Sequence, residues 1–172
     1  MKVVGTAAVV AVAVALQLGL ARLTVGSRWS FDLMVVAVVY AALRWGPSYG
    51  VIGGTLGGLL QDALAGGTVG VGGLAKTVVG FGAGVIGSQF IVARPFPRTV
   101  LVAGATIVGR LIVIILRGMI ELQRPTVSWV AVLSETALNA LAAFLLFYGI
   151  ATVPTMMRLR PSRRTEFRTR KW

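Results

Sequence analysis

The chain has 172 residues, of which 56% are hydrophobic and only 13% charged, yet its formal net charge is +12. Soluble chains average about 45–50% apolar residues even with glycine counted, so this composition excludes an ordinary water-soluble domain and predicts a membrane-embedded protein. The sequence contains no cysteine and no histidine, which removes thiol nucleophiles and the commonest metal ligand and general base. We therefore expect no metal, no cofactor and no catalytic residue.

Apolar runs divide the chain into six predicted helices, joined by loops that are too short to be domains. The first run, interrupted only by Thr6 and Gln17, is typical of a retained span, because no small-residue cleavage site follows it. The second run is the weakest, since its 15 residues rise only about 23 Å against a hydrocarbon core of about 30 Å. The sequence predicts an all-α membrane protein with a polytopic domain over 1–155 and a basic cytoplasmic tail over 156–172. The predicted spans are 3–21, 31–45, 49–65, 71–93, 99–116 and 129–153.

Basic residues indicate the orientation, because lysine and arginine concentrate near the cytoplasmic ends of spans. With six spans, the side that carries both termini holds 11 basic residues, seven of them in the tail, and the opposite side holds four. Both termini are therefore expected in the cytoplasm, and the positive charge indicates orientation rather than nucleic-acid binding. A five-span alternative fuses 31–60 into one helix and gives a similar asymmetry. It places Arg44 and Pro47 in mid-bilayer, where an unpaired arginine costs at least about 2.5–3.5 kcal/mol and proline disrupts the helix.

Glycine is concentrated in the middle of the chain, where 15 of the 22 glycines fall between Gly46 and Gly87. Four glycines recur at every fourth residue along the third helix, and a shorter stripe lies on the fourth. Such stripes let two helices in lipid approach closely. We expect them to pack helices inside the protein; the alternative is that they dock the transmembrane helix of a partner. The stripe residues are Gly46, Gly50, Gly54 and Gly58 on the third helix, and Gly80 and Gly84 on the fourth.

Four ionisable residues fall inside the predicted spans, where charges are rare and usually paired or functional. Asp62 and Lys76 both lie within about 10 Å of the turn between the third and fourth helices, so we expect them to face each other. Arg110 and Glu135 lie at matching depths, about 10 Å below the outer surface, as an ion pair requires. Asn139 lies one turn deeper than Glu135 on the same face. One interpretation is that these five residues form contacts between helices that fix the register of the helices. The alternative is that they line a polar pocket in the outer half of the membrane, for a ligand or for a polar group of a partner.

Asp32 is expected to begin or cap the second helix, with Arg22 or Arg28 nearby. General acid–base chemistry has little support, because the sequence offers no histidine, no cysteine and no closely spaced pair of carboxylates.

The central part of the chain contains a series of short motifs. Asp32-Leu33-Met34 is followed by Ala42-Leu43-Arg44-Trp45-Gly46-Pro47, by Gly58-Leu59-Leu60-Gln61-Asp62 and by Leu74-Ala75-Lys76-Thr77. In these motifs, in its length and in its basic tail, the chain resembles the MreD family of small bacterial rod shape-determining membrane proteins. The resemblance is specific over about 31–84 and general elsewhere, and it departs from the family at Phe31, where proline is frequent. Asp62 and Lys76 match the family pattern, whereas Arg110 and Glu135 rest on the depth calculation alone.

The resemblance implies a non-enzymatic component of the cell-elongation complex that regulates peptidoglycan synthesis at the bacterial cytoplasmic membrane. Its direct partner would be the bitopic protein MreC, and through MreC it would reach the MreB filament, the RodA glycosyltransferase and a penicillin-binding transpeptidase. The family is also similar to the six-helix substrate-binding subunits of energy-coupling-factor vitamin transporters. A small-molecule-binding transporter subunit is therefore the alternative function. The basic tail is expected to lie against anionic lipid.

Overall fold

The computed structural model describes residues 2–23, 32–65, 68–89, 94–121 and 128–158. Over these ranges the chain forms six α-helices and no β-strand, which confirms the predicted all-α class. The end of the predicted tail and the expected neighbour Arg28 lie outside the described residues, as does the side chain of Arg22. The helices are α1 Lys2–Leu23, α2 Leu33–Trp45, α3 Pro47–Ala65, α4 Val71–Gln89, α5 Pro95–Glu121 and α6 Trp129–Arg158.

Three of the described helices have the length and composition of membrane spans. Among the described residues, Val71–Gln89, Pro95–Ile120 and Trp129–Thr152 are each long and apolar enough to cross a membrane. Two further segments, Lys2–Gln17 and Leu33–Trp45, are apolar but shorter. Large apolar side chains cover much of the exposed surface of the bundle, as expected for a surface that faces lipid rather than water. The chain is an all-α membrane protein.

The short helix α2 lies at the centre of the bundle, in contact with all five other helices. Its residues from Met34 to Val39 are all buried, and so are Ala41 and Ala42. A helix that is apolar on every face is stable only when it is surrounded. One side of α2 packs against α4, α5 and α6 around the buried Phe147, and the other side packs against α1 around Met34.

Gly46 separates α2 from α3, so residues 32–65 do not form the single continuous helix that the five-span alternative requires. The backbone of Gly46 has a φ of 106°, a left-handed conformation that glycine adopts without steric cost. Its N–H still donates to the carbonyl of Ala42, which closes the last turn of α2. Pro47 is the first residue of α3. Proline has no backbone N–H, and at this position an N–H would have no acceptor within the helix. Gly46 therefore forms the turn and does not belong to the packing stripe in which the sequence placed it.

The remaining glycines of the stripes lie between α3 and α4, the most closely packed pair of helices. A methyl group on Gly50 would overlap the carbonyl of Gly80, and one on Gly54 would overlap the carbonyl of Lys76. Because these neighbours are backbone atoms, they cannot rotate away. The other close approaches are those of Gly58 to Gly73 and of Gly84 to Pro47. In this molecule the stripes are an internal packing face, and α4 covers the surface that would otherwise be open to a partner helix.

Candidate functional site

The amino-terminal end of α2 lies inside the bundle and connects three helices through Asp32. The Asp32 backbone N–H donates to Oδ1 of Asn139 on α6, at 3.2 Å. The Asp32 carboxylate oxygen Oδ2 lies 2.8 Å from Nζ of Lys76 on α4. Asp32 occupies the capping position that the sequence predicts, but its side chain makes no capping hydrogen bond. Its carboxylate instead forms an ion pair between α2 and α4.

Lys76 thus pairs with Asp32, and the predicted pairing of Asp62 with Lys76 is wrong. Lys76 is buried, with only 7% of its surface exposed. Asp62 lies at the end of α3 and faces the beginning of α4, where the first backbone N–H groups have no acceptor within their own helix and carry a partial positive charge. Its Oδ2 atom accepts three of these hydrogen bonds, from the N–H groups of Gly70, Gly72 and Gly73 at 2.9, 2.9 and 3.1 Å.

Arg110 on α5 and Glu135 on α6 form the predicted ion pair. Both Nε and Nη2 of Arg110 lie 2.6 Å from Oε2 of Glu135. The Glu135 side chain is 4% exposed, whereas that of Arg110 is 34% exposed. The matching depths that the sequence indicates are therefore confirmed, and the pair joins the last two helices.

Asn139 is completely buried and connects α6 with two other helices. Its Nδ2 donates to Oγ1 of Thr106 on α5 at 3.3 Å, while its Oδ1 accepts from the backbone of Asp32. Asn139 shares a face with Glu135, as predicted, but its hydrogen bonds go to α2 and α5. It fixes the position at which α2 begins.

A cavity of about 190 Å³, the polar cavity, is lined by the charged side chains described above but not by Asn139. It lies towards the end of the bundle that carries the α3–α4 turn, because Ala65 and Gly72 also line it. Opposite charges balance in its lining, with three acidic and three basic side chains. These are Asp32, Asp62, Glu135, Lys76, Arg110 and Arg117.

Uncharged polar residues that the sequence reasoning did not select also line the polar cavity: Gln17, Gln61 and Thr106. Each is a polar residue inside an apolar run, and this feature of the sequence is the one from which a place in the cavity lining could have been predicted. Two buried oxygen atoms of the lining, Oδ1 of Asp32 and Oε1 of Gln61, have no hydrogen-bond partner among the described residues. Such an acceptor is costly inside a protein, so the cavity is suited to a guest that donates hydrogen bonds.

The charged groups of the polar cavity are mostly occupied with one another. Lys76 neutralises Asp32, Arg110 neutralises Glu135, and Asp62 accepts from the backbone. In the part of the chain that the structure describes, no group of three or more histidine, cysteine or acidic residues is placed to hold a metal ion. The arrangement can hold a polar, hydrogen-bonding group in a site that α1 to α6 surround.

Five helices packed around a short apolar one, with charged side chains paired inside the bundle, define an all-α membrane protein. A family model described as rod shape-determining protein MreD matches residues 2–153. Because the match covers most of the chain, the chain belongs to the MreD family, as its central motifs predict. Searches of curated proteins and of solved structures found no match. The likeness to vitamin-transporter subunits stays a prediction.

Proposed function

We propose that this member of the MreD family is a non-enzymatic scaffold and regulatory subunit of the bacterial cell-elongation complex and that it binds MreC directly. MreB, RodA and the penicillin-binding transpeptidase are then indirect partners, reached through MreC. Family membership supports a role in rod shape for a membrane protein. The polar cavity is the observation that supports partner binding, and we propose that it receives a polar segment of MreC.

The chemistry of the polar cavity favours a hydrogen-bond donor as its guest. The lining charges balance, so a strongly charged guest gains little from them, whereas Oδ1 of Asp32 is a buried acceptor that still lacks a donor. A backbone N–H, a hydroxyl or an amide of MreC meets this requirement. Satisfying a buried acceptor contributes about 1–3 kcal/mol, enough to make this contact a determinant of affinity.

The size of the polar cavity argues against the transporter alternative. Pockets for small molecules of the size of drugs or cofactors have volumes of about 300–1,000 Å³, whereas the polar cavity has about 190 Å³. A volume of this size accommodates one or two side chains of a partner. The paired state of its charges also supports a scaffold rather than an enzyme, because a general acid or base needs a group that is free to exchange a proton with a substrate.

We also propose the bacterial cytoplasmic membrane as the location, with both termini in the cytoplasm. The distribution of basic residues supports this orientation, because Arg44, Arg94 and Arg98 lie at the end of the bundle opposite the α3–α4 turn. The polar cavity then faces the outer side of the membrane. A segment of MreC that leaves the bilayer on that side is the part that reaches it.

Site-specific photocrosslinking in cells tests the proposal. Probes at Ala65 and Val113, which both line the polar cavity, are expected to capture MreC. Matched probes at Phe96 and Val100, exposed near the opposite end of the bundle, are expected to give weaker capture or none. Capture of MreC only at the opposite end would exclude the polar cavity as the binding site, and no capture at any position would refute direct binding.

A further inference from the structure

A second cavity lies at the end of the bundle opposite the α3–α4 turn, where α2 and α4 end and α5 begins. This basic-end cavity has a volume of about 70 Å³, room for more than one water molecule or for a group of similar size. None of the residues that line it is acidic, and two are arginines. They are Tyr40, Leu43, Arg44, Gly87, Arg98 and Phe147.

Two aromatic rings, those of Tyr40 and Phe147, line the basic-end cavity, and one of them contacts Arg98. The guanidinium carbon of Arg98 lies 5.5 Å from the centroid of the Phe147 ring, which is within the range of a cation–π contact. Tyr40 packs between Phe147 and Trp45, with ring centroids 6.2 and 6.1 Å apart. Tyrosine and tryptophan rings concentrate at the level of lipid headgroups, so Tyr40 and Trp45 favour that level for this end of the bundle.

Tyr40 also lines an apolar groove. It has a volume of about 480 Å³ and is lined by α1, α2 and α6. Over the described residues, α1 and α6 each pack on α2 but do not touch each other. Along α1 the groove runs from Ala8 to Leu16, a distance of about 12 Å. This is close to half of a hydrocarbon core of about 30 Å, so the groove matches one leaflet and not the full length of a spanning helix.

We propose that the protein binds one anionic phospholipid at this place, with its phosphate between Arg44 and Arg98 and an acyl chain in the apolar groove. The planar guanidinium of arginine matches the geometry of phosphate oxygens, and basic pockets between transmembrane helices recognise anionic headgroups in this way. Tyr40 lines both the basic-end cavity and the groove, so a single lipid molecule reaches both. This site is separate from the polar cavity at the opposite end of the bundle.

Native mass spectrometry of the purified full-length chain tests the proposal. Dioleoylphosphatidylglycerol is the probe, and dioleoylphosphatidylcholine, with the same acyl chains and no net charge, is the comparison. We expect one phosphatidylglycerol to bind preferentially. The double variant Arg44→Gln/Arg98→Gln is expected to weaken this binding about thirtyfold, because each basic residue contributes about fivefold near an anionic headgroup. The matched control Lys2→Gln/Arg94→Gln removes the same charge from exposed positions at the same end and is expected to leave binding within about twofold of the native value.

Two further measurements separate a lipid from other occupants. Glycerol 3-phosphate, which carries the phosphate without the chains, is expected not to bind at the concentration at which the lipid does. Ala8→Phe, which fills the groove from an exposed position on α1, is expected to weaken phosphatidylglycerol binding while the arginines remain. Equal losses in both double variants, or equal binding of phosphatidylcholine, would overturn the proposal. Displacement of phosphatidylglycerol by a peptide with the MreC transmembrane segment would assign the groove to a helix and would also overturn it.

Discussion

Replacing Gly54 with alanine places a methyl group where the backbone of α4 lies. The new carbon would lie 2.6 Å from the carbonyl carbon of Lys76 and 2.8 Å from the amide nitrogen of Thr77, so α3 and α4 must move apart. Overpacking of this kind costs about 1–3 kcal/mol, and immovable backbone neighbours favour the upper end of that range. Alanine returns about 1 kcal/mol through its higher helix propensity. We therefore expect a net loss of about 2 kcal/mol in the free energy of unfolding.

The same helix pair supplies the controls for this prediction. A methyl group on Gly82 of α4 meets nothing within 4 Å, and one on Gly53 of α3 comes no closer than 3.4 Å to a side chain. Gly82→Ala is expected to stabilise the protein by up to about 1 kcal/mol, with Gly53→Ala between the two extremes. Denaturant unfolding in detergent micelles, followed by circular dichroism, measures all three variants. Equal unfolding free energies for Gly54→Ala and Gly82→Ala would refute the assigned packing of α3 on α4.

Three further predictions concern the charged side chains. Lys76→Met leaves the carboxylate of Asp32 without its partner, and we expect the free energy of unfolding to fall by about 3–5 kcal/mol in the same assay. Adding Asp32→Asn should restore part of this stability. No restoration would contradict the pairing of Lys76 with Asp32. Arg110→Glu and Glu135→Arg should each destabilise the protein, whereas the double reversal should recover at least about 1 kcal/mol of coupling, and purely additive losses would exclude a direct ion pair. Asp62→Ala removes the acceptor at the start of α4, and we expect the free energy of unfolding to fall by about 1–2 kcal/mol. The first backbone amides of α4 should also exchange their hydrogens faster. Unchanged exchange at these amides would rule out the capping role of Asp62.

The features that the sequence predicts correctly depend on spacing along the chain. Apolar runs indicate six helices because burial in lipid requires continuous apolar surface. The recurrence of glycine at every fourth residue indicates a packing face on α3 because such residues align on one side of a helix. Arg110 and Glu135 were paired from their distances to the ends of their helices, and the 2.6 Å contact confirms that the two depths match.

The features that the sequence did not predict depend on which helices lie side by side in the bundle. The sequence predicts that Asp32 begins or caps the second helix near Arg22 or Arg28, whereas α2 has only 13 residues and begins inside the bundle. This brings Asp32 beside Lys76, and no spacing along the chain contains that information. The sequence predicts a side-chain partner for Asp62, but the N–H groups at the start of α4 donate to its carboxylate instead. Asp62 lies eight residues before Gly70, and this spacing is the feature of the sequence from which its contact with the start of α4 could have been predicted.

A dissociation constant for MreC shows whether MreC binds at the polar cavity. Ala65→Trp places a bulky ring at the cavity lining from an exposed position at the end of α3, and Ala11→Trp places the same ring on an exposed position of α1 outside the cavity. Both variants are compared with the native chain in lipid nanodiscs with purified full-length MreC. We expect Ala65→Trp to weaken binding at least tenfold, which corresponds to about 1.4 kcal/mol, and Ala11→Trp to leave it unchanged. Equal dissociation constants for the two variants would contradict a role of the polar cavity in binding MreC.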